Sequence, residues 1–102
     1  MANFYRDNDD IRFLFRHVDL APLAEICEEG FKFAGQFDHA PADAAEAIRN
    51  YEMVLDSLGQ LCGEFIAPRA EGVDREGNVL NQDGTVTRAG GIAEAIEKLG
   101  QA

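Results

Sequence analysis

Apolar residues repeat with helical spacing in four separate segments of the chain. The first segment begins after Asp10, a candidate helix cap, and its apolar residues fall at spacings of three and four: Ile11, Leu14, Phe15 and Val18. Phe13 points away from this stripe, towards the side that carries Arg16 and His17. The pattern predicts one helix with one packed face. Phe13 is then either an ordinary surface residue or a contact for something outside this face.

The second segment has a wider apolar arc. Asp19 can cap a helix whose apolar residues spread over more than one face: Leu20, Leu23, Ile26, Cys27, Phe31, Phe33, Ala34 and Phe37. A stripe this wide predicts burial on two sides. Gly30 and Gly35 are poor helix formers, each costing about 1 kcal/mol relative to alanine, so the segment can break or bend there.

The third segment predicts the longest helix. Asp43, with Glu46 three residues later, forms a capping-box pattern, and Pro41 excludes an earlier regular helix. Spacings of three and four then continue through Ile48, Tyr51, Leu55, Leu58, Cys62 and Phe65, with Val54, Leu61 and Ile66 beside them. We expect the helix to end before Pro68, after about 35 Å at ~1.5 Å per residue. The repeat is too short for a coiled coil, which favours a helical bundle.

The last part of the chain loses the helical period and then regains it. Between residues 72 and 91, Asp83 and Gly84 predict a turn between short apolar pieces, so we expect a loop or a tiny hairpin. Helical spacing returns at Ile92, Ala95, Ile96 and Leu99, and we expect this final helix to be cut rather than finished. The fold class predicted for residues 1–102 is therefore all-α, a small helical bundle of three to four principal helices with that loop or hairpin before the last.

Composition and charge exclude several kinds of partner. The chain has 102 residues, of which 46% are hydrophobic, and a formal charge of −10. Such a charge repels nucleic acid and anionic membranes over about one Debye length. The acidic start is unlike a signal peptide, and no apolar run approaches the ~20 residues of a membrane span, so we expect a cytoplasmic location. Cys27 and Cys62 lie far apart without metal or redox spacing, and we expect both to be buried, reduced thiols.

Candidate chemistry along the chain is weak. Asp74, Glu76 and Asn78 match the first, third and fifth places of a calcium loop, but Val79 and Thr85 stand where glycine and glutamate are needed. The two histidines, His17 and His39, show no ligand or triad spacing, and the acidic pairs Asp9–Asp10 and Glu28–Glu29 diverge on a helix. Glycine-rich nucleotide loops and the serine hydrolase elbow are not found in the sequence. We predict no catalytic, cofactor-binding or metal residue in this chain.

Two short stretches carry a family resemblance over nearly the whole chain. The opening "NFYRDNDDIRFLF" is similar to the extra N-terminal segment of bacterial acyl-CoA dehydrogenases, with Asp10, Arg12 and Phe13 at its D-x-R-F element. The stretch "FIAPRAEGVDREG" resembles the helix exit of the same family. The matching residues there are Phe65, Ile66, Pro68, Ala70, Asp74 and Gly77. The resemblance implies that this region links helices of the N-terminal domain.

The resemblance also implies a function for a longer parent enzyme. Family members use FAD to dehydrogenate acyl-CoA thioesters, with a glutamate base and with flavin contacts that would lie beyond Ala102. This chain would then be a fragment, an N-terminal helical domain that scaffolds one wall of the active site. Its expected partners are the remaining domains, acyl-CoA for the whole enzyme and other copies in a homo-oligomer. The alternative is a stand-alone acidic helical module that binds a protein through Phe13 and the second apolar arc.

Overall fold

The computed structural model describes residues 2–102 and shows a helical chain with one small hairpin. Its elements, in chain order, are α1 (Asp9–His17), α2 (Ala21–Cys27), α3 (Ala44–Leu61), α4 (Ala67–Glu76), β1 (Val79–Leu80), β2 (Val86–Thr87) and α5 (Gly90–Gln101). A single 3₁₀ turn follows α2, and a π-helical turn joins α3 to α4. The predicted all-α fold, with a tiny hairpin before the last helix, is confirmed.

The spine of the molecule is the helical run from α3 into α4. Its start agrees with the sequence: the Asp43 carboxylate accepts a hydrogen bond from Glu46 N at 2.8 Å, and the Glu46 carboxylate accepts from Ala42 N, also at 2.8 Å. The first bond satisfies a backbone donor that the first helical turn leaves free, and the second holds the residue that precedes the cap. The predicted end before Pro68 is wrong, because Pro68 lies in the first turn of α4 and the helical run continues to Glu76.

The π-helical turn explains how the chain passes the proline. Proline has no N–H to donate, and its ring clashes with the carbonyl four residues earlier in a regular α-helix. Directly before it, residues Cys62–Ile66 widen into a π turn, and the N–H of Ala67 donates to the oxygen of Cys62. Pro68 then occupies a first-turn position, where its missing donor costs little. The spine is therefore locally widened at Pro68 rather than ended there.

The second apolar segment is mostly irregular. α2 ends at Cys27, and in the 3₁₀ turn that follows Gly30 has a positive φ of 70°, with positive φ values of 50° and 61° at Glu29 and Phe31 as well. Residues 32–43 then pass in turns to the start of α3. The predicted burial on two sides is wrong, because Ile26 is 75% exposed and Phe37 54% exposed. The segment does carry a wide apolar arc, but the described residues leave much of it uncovered.

The first helix begins earlier than expected. Asn8, not Asp10, is its cap, and the Asn8 side chain accepts from Ile11 N at 3.1 Å. Asp9 and Asp10 are the acidic residues of the first turn. The expected apolar stripe is only half covered, since Ile11 and Phe15 are partly buried whereas Leu14 and Val18 are exposed.

The hairpin lies between α4 and α5. Its two strands pair in antiparallel register, with Val79 opposite Thr87 and Leu80 opposite Val86. Asp83 shapes the turn by accepting from Thr85 N at 2.9 Å, which confirms the predicted turn at Asp83–Gly84. After the hairpin, α5 returns along α4, and the two helices approach closely where Gly91 faces Val73.

The core is thin for a chain of this length. The principal extents are 51 × 32 × 21 Å and the radius of gyration is 18.1 Å, whereas a compact domain of about 100 residues has one near ~13 Å. The buried apolar residues in the described chain are small apart from Tyr5: Ala24, Ala47 and Ala89. The helices therefore form an open layer with large apolar side chains on its outer faces.

Candidate functional site

Residues 2–8, called here the N-terminal strap, cross α3 and are held to it by hydrogen bonds. The side-chain amide of Asn3 donates to the backbone oxygen of Asp56 at 3.1 Å and to its carboxylate at 3.0 Å. The Asn3 side-chain oxygen accepts from the backbone N–H groups of Tyr5 and Arg6, each at 2.9 Å. Phe4 N also donates to Gly59 O at 3.0 Å. One buried asparagine thus shapes the strap and ties it to the spine.

Tyr5 adds a second tie between the strap and α3. Its hydroxyl donates to Glu52 Oε1 at 2.5 Å, and its ring meets Phe15 edge-on with ring centroids 6.1 Å apart. Burial of the phenol, together with the nearby Glu52 carboxylate, raises the pKa of Tyr5 to about 12. At neutral pH this tyrosine is therefore a hydrogen-bond donor and not a base.

Two glycines of the spine let the strap lie close to the helix. A Cβ at Gly59 would overlap the side-chain oxygen of Asn3 and the backbone nitrogen of Tyr5. A Cβ at Gly63, in the π turn, would overlap the carbonyl of Ala2. The strap position therefore requires glycine at both places, since any side chain would push the strap backbone away.

An arginine-rich cavity of about 580 Å³ opens beside the strap. Its lining includes three arginines and two carboxylates: Arg6, Arg12, Arg49, Glu52 and Asp56. Arg6 pairs with Asp56, and its hydrogen bond holds the pKa of that carboxyl below the usual range. Arg12 donates to the backbone oxygen of Arg6 at 3.2 Å. The two carboxylates already have partners within the strap, so the cavity serves as a junction between strap and spine.

A larger cleft of about 760 Å³ lies on the adjoining side of α3 and is called here the acidic cleft. The segment after α2 forms one wall and α3 forms the other, and the lining is both apolar and acidic: Phe33, Phe37, Met53 and Val54, with Glu28, Asp38 and Glu46. Tyr51 donates to Glu28 Oε1 at 2.6 Å across the cleft. That hydrogen bond, with burial, raises the pKa of Tyr51 to about 12.

A third, apolar slot of about 360 Å³ separates α4 from α5. Phe65 lines it, and two cations lie over the ring: the guanidinium carbon of Arg69 is 3.7 Å from the ring centroid and Lys98 Nζ is 5.6 Å from it. Arg69 also pairs with Glu94 of α5 at 3.7 Å. Cation–π contacts at such exposed sites contribute about 0.5–1 kcal/mol each. The slot is therefore a contact between two helices that side chains fill incompletely.

The stretch that resembled a calcium loop has a structural role. Asp74 and Glu76 lie in α4, Glu76 accepts from Gly90 N at 3.3 Å, and Asn78 accepts from Ala89 N at 3.0 Å. These bonds hold the start of α5 against the end of α4. Among residues 2–102 there is no group of three or more histidine, cysteine or acidic side chains placed to hold a metal ion.

The histidines and cysteines stay apart from one another. The His17 ring contacts that of Phe13 in a tilted arrangement with ring centroids 4.4 Å apart, and His39 stacks against Phe37 with centroids 5.8 Å apart. The expectation that both cysteines are buried is wrong: Cys27 is exposed, because α2 ends there with that face uncovered, and Cys62 is partly buried. Neither is in a disulfide.

The strap and the acidic cleft were not predicted from sequence. Asn3, Gly59 and Gly63 matter because segments far apart in the chain meet there, and no local pattern signals such a meeting. The one available clue was a pair of glycines inside an otherwise strongly helical run, since glycine there weakens a helix unless something packs closely against it.

The fold and the sites together define a mostly helical protein whose described residues are held together by packing and by side-chain hydrogen bonds. No family model matches the chain, and searches of curated proteins and of solved structures find no significant match. Within the described residues, no helix is both long enough and apolar enough to cross a bilayer.

Proposed function

We propose that this chain is the N-terminal helical domain of an FAD-dependent acyl-CoA dehydrogenase and scaffolds one wall of its active site. The observation that carries the proposal is the uncovered apolar surface along the open helical layer. Fifteen large hydrophobic side chains are exposed in residues 2–102, with Phe13, Ile26, Phe37 and Leu80 all more than half exposed. Large contiguous apolar patches are uncommon on monomeric soluble proteins, and further domains of an enzyme would cover exposed side chains such as these.

The positions of the resemblance residues are compatible with a scaffold role. Phe65 and Ile66 lie in the π turn, Pro68 and Ala70 lie in α4, and Gly77 ends α4 with a φ of 69°. In the N-terminal stretch, Arg12 lines the junction between strap and spine. The residues of the second stretch thus lie in the π turn and in α4 up to its end, which is compatible with the helix-linking role that the family resemblance implies for that stretch.

The chemistry of the reaction would come from other parts of the parent enzyme. FAD, when bound there, would accept the hydride that leaves the acyl-CoA, and a glutamate outside this chain would remove the α-proton. We assign no catalytic, flavin-binding or metal-binding role to any residue of this chain. Its contribution would be rigidity, because the strap and the two capping bonds at Asp43 fix the spine against which other domains pack. The proposal places the enzyme in the cytoplasm.

Expression of the complete gene product tests the proposal. We expect a yellow protein that contains FAD and reduces an electron acceptor when an acyl-CoA is added, whereas residues 1–102 alone should be colourless and inactive. Flavin absorbance from the isolated chain would contradict the domain assignment. A complete product that neither binds FAD nor oxidises any acyl-CoA would overturn the family proposal and favour the interaction module.

A further inference from the structure

Three of the basic side chains of this acidic protein line one cavity. The chain has nine lysines and arginines against nineteen aspartates and glutamates. Arg6 of the strap, Arg12 of α1 and Arg49 of α3 all line the arginine-rich cavity of about 580 Å³. They come from three separate segments, so the tertiary structure gathers them and not a local run of sequence. Because like charges repel at short range, such a gathering is unfavourable unless negative charge balances it.

The carboxylates of the cavity do not balance all three guanidinium groups. Asp56 pairs with Arg6, which leaves that pair neutral. Glu52 accepts the hydroxyl of Tyr5 and forms no ion pair within residues 2–102. Three arginines less two carboxylates leave one net positive charge at the cavity. The cavity therefore lacks one negative charge on a protein whose formal charge is −10.

Arg12 and Arg49 keep hydrogen-bond donors available. In the part of the chain that the structure describes, neither arginine pairs with a carboxylate. Arg12 donates to the backbone oxygen of Arg6 at 3.2 Å, and Arg49 donates to no group of the described residues. Arg12 is partly buried, and its charge acts on the Tyr5 hydroxyl, where it opposes the rise in the pKa of that phenol. A guanidinium is a planar fork of several donors, and most of these forks therefore have no protein acceptor.

We infer that the arginine-rich cavity binds a small organic carboxylate through Arg12 and Arg49. A carboxylate carries a single negative charge, which matches the net charge of the cavity, and its two oxygens accept paired hydrogen bonds from a guanidinium fork. A phosphate ester carries about −1.5 to −2 at neutral pH and would leave excess negative charge there. The volume of about 580 Å³ lies within the ~300–1,000 Å³ of typical small-molecule sites. The inference rests on charged side chains and does not depend on the proposed function.

Titration of the 102-residue chain with benzoate, followed by NMR of the arginine side-chain N–H groups, tests the site. We expect saturable shifts in the signals of Arg12 and Arg49. Benzamide has the same shape without the charge and should cause little shift at the same concentrations. Inorganic phosphate should bind more weakly than benzoate, because its charge exceeds that of the cavity.

Variants of the lining separate a binding site from a structural junction. Arg49→Gln shortens an exposed side chain that has no partner in the described chain, so the fold should be unchanged and benzoate affinity should fall about tenfold or more. Arg12→Gln should weaken binding in the same direction. Arg88→Gln, at an exposed position outside the cavity, is the matched control and should leave the dissociation constant unchanged. Circular dichroism of every variant checks that the helices remain folded.

A gain of affinity makes the test specific. Glu52→Gln keeps an oxygen that can accept the Tyr5 hydroxyl and removes one negative charge from the cavity, so benzoate should bind severalfold more tightly. A role of these side chains in the fold alone would not produce such a gain. The inference would be overturned by the absence of saturable shifts, by benzamide or phosphate binding as tightly as benzoate, by equal losses in Arg49→Gln and Arg88→Gln, or by weaker binding in Glu52→Gln.

Discussion

Asn3 and Asp56, separated by 53 positions in the chain, are joined by two hydrogen bonds from one side-chain amide. The same asparagine oxygen accepts two backbone N–H groups of the strap. Through these bonds, Asn3 holds the N-terminal segment in a fixed position against the helical layer. The described chain buries few large apolar side chains, and hydrogen bonds such as these hold the strap against α3.

Replacing Asn3 with alanine should detach the strap. The change removes the bonds to Asp56 and leaves the buried N–H of Tyr5 without its acceptor, so we expect a loss of about 2–3 kcal/mol in the free energy of unfolding. Urea unfolding followed by circular dichroism measures it. Gln82→Ala, which shortens an exposed amide side chain in the hairpin turn, is the matched control and should have little effect. Equal free energies of unfolding for the two variants would mean that the attachment of the strap through Asn3 adds nothing to the stability of the fold.

Replacing Gly63 with alanine should displace the strap from the π turn. Its Cβ would overlap the carbonyl of Ala2, and relieving such overpacking costs about 1–3 kcal/mol. Gly72→Ala is the control, because its Cβ meets open space on α4 and helix propensity should then stabilise the protein by up to about 1 kcal/mol. We therefore expect the melting temperature to fall in Gly63→Ala and to rise in Gly72→Ala. A stabilising Gly63→Ala would contradict the close approach of the strap.

The two tyrosine hydroxyls should lose their protons at unusually high pH in the folded protein. Tyr5 and Tyr51 are the tyrosines of the chain, there is no tryptophan, and the pKa of each is raised to about 12 from an ordinary value of 10.0. A raised pKa means that the folded state holds the proton more tightly. The resulting stability is complete below pH 10.0 and is lost as pH rises towards about 12.

Tyrosinate absorbance measures this directly. We expect the native titration to lie above that of the same chain in denaturant. Tyr51→Phe leaves Tyr5 as the sole reporter and should retain a raised pKa, since burial is the main cause there. A native curve that coincides with the denatured one would show that neither phenol is held by its carboxylate.

Removing the Asp43 cap should destabilise the start of α3. Asp43→Ala leaves Glu46 N without its acceptor, and the loss of such a cap costs about 1 kcal/mol. Asp74→Ala, at an exposed position inside α4, is the control and should be neutral or slightly stabilising because alanine favours helices. Chemical denaturation of both variants gives the comparison. The result would be contradicted if the two variants lost the same stability.

Local features of the fold followed from the sequence. The cap at Asp43, the long apolar repeat and the turn at Asp83–Gly84 all depend on residues within a few positions of one another, so their patterns predict structure directly. The end of the spine did not follow, because proline ordinarily ends a regular α-helix, whereas here a π turn precedes Pro68 and the helical run continues. A π turn can place a proline in the first turn of a new helical stretch, and nothing local distinguishes the two outcomes.

Tertiary structure alone decided which apolar faces are covered and where the sites lie. The sequence determined that the second segment has a wide apolar arc, but burial requires a partner surface, and residues 2–102 do not supply one for Ile26 or Phe37. Likewise, Asn3 and Gly63 look unremarkable in sequence, because their roles arise only when the strap crosses α3. Periodicity fixes the helices within one segment, whereas long-range contact fixes the strap, the clefts and the exposed surface.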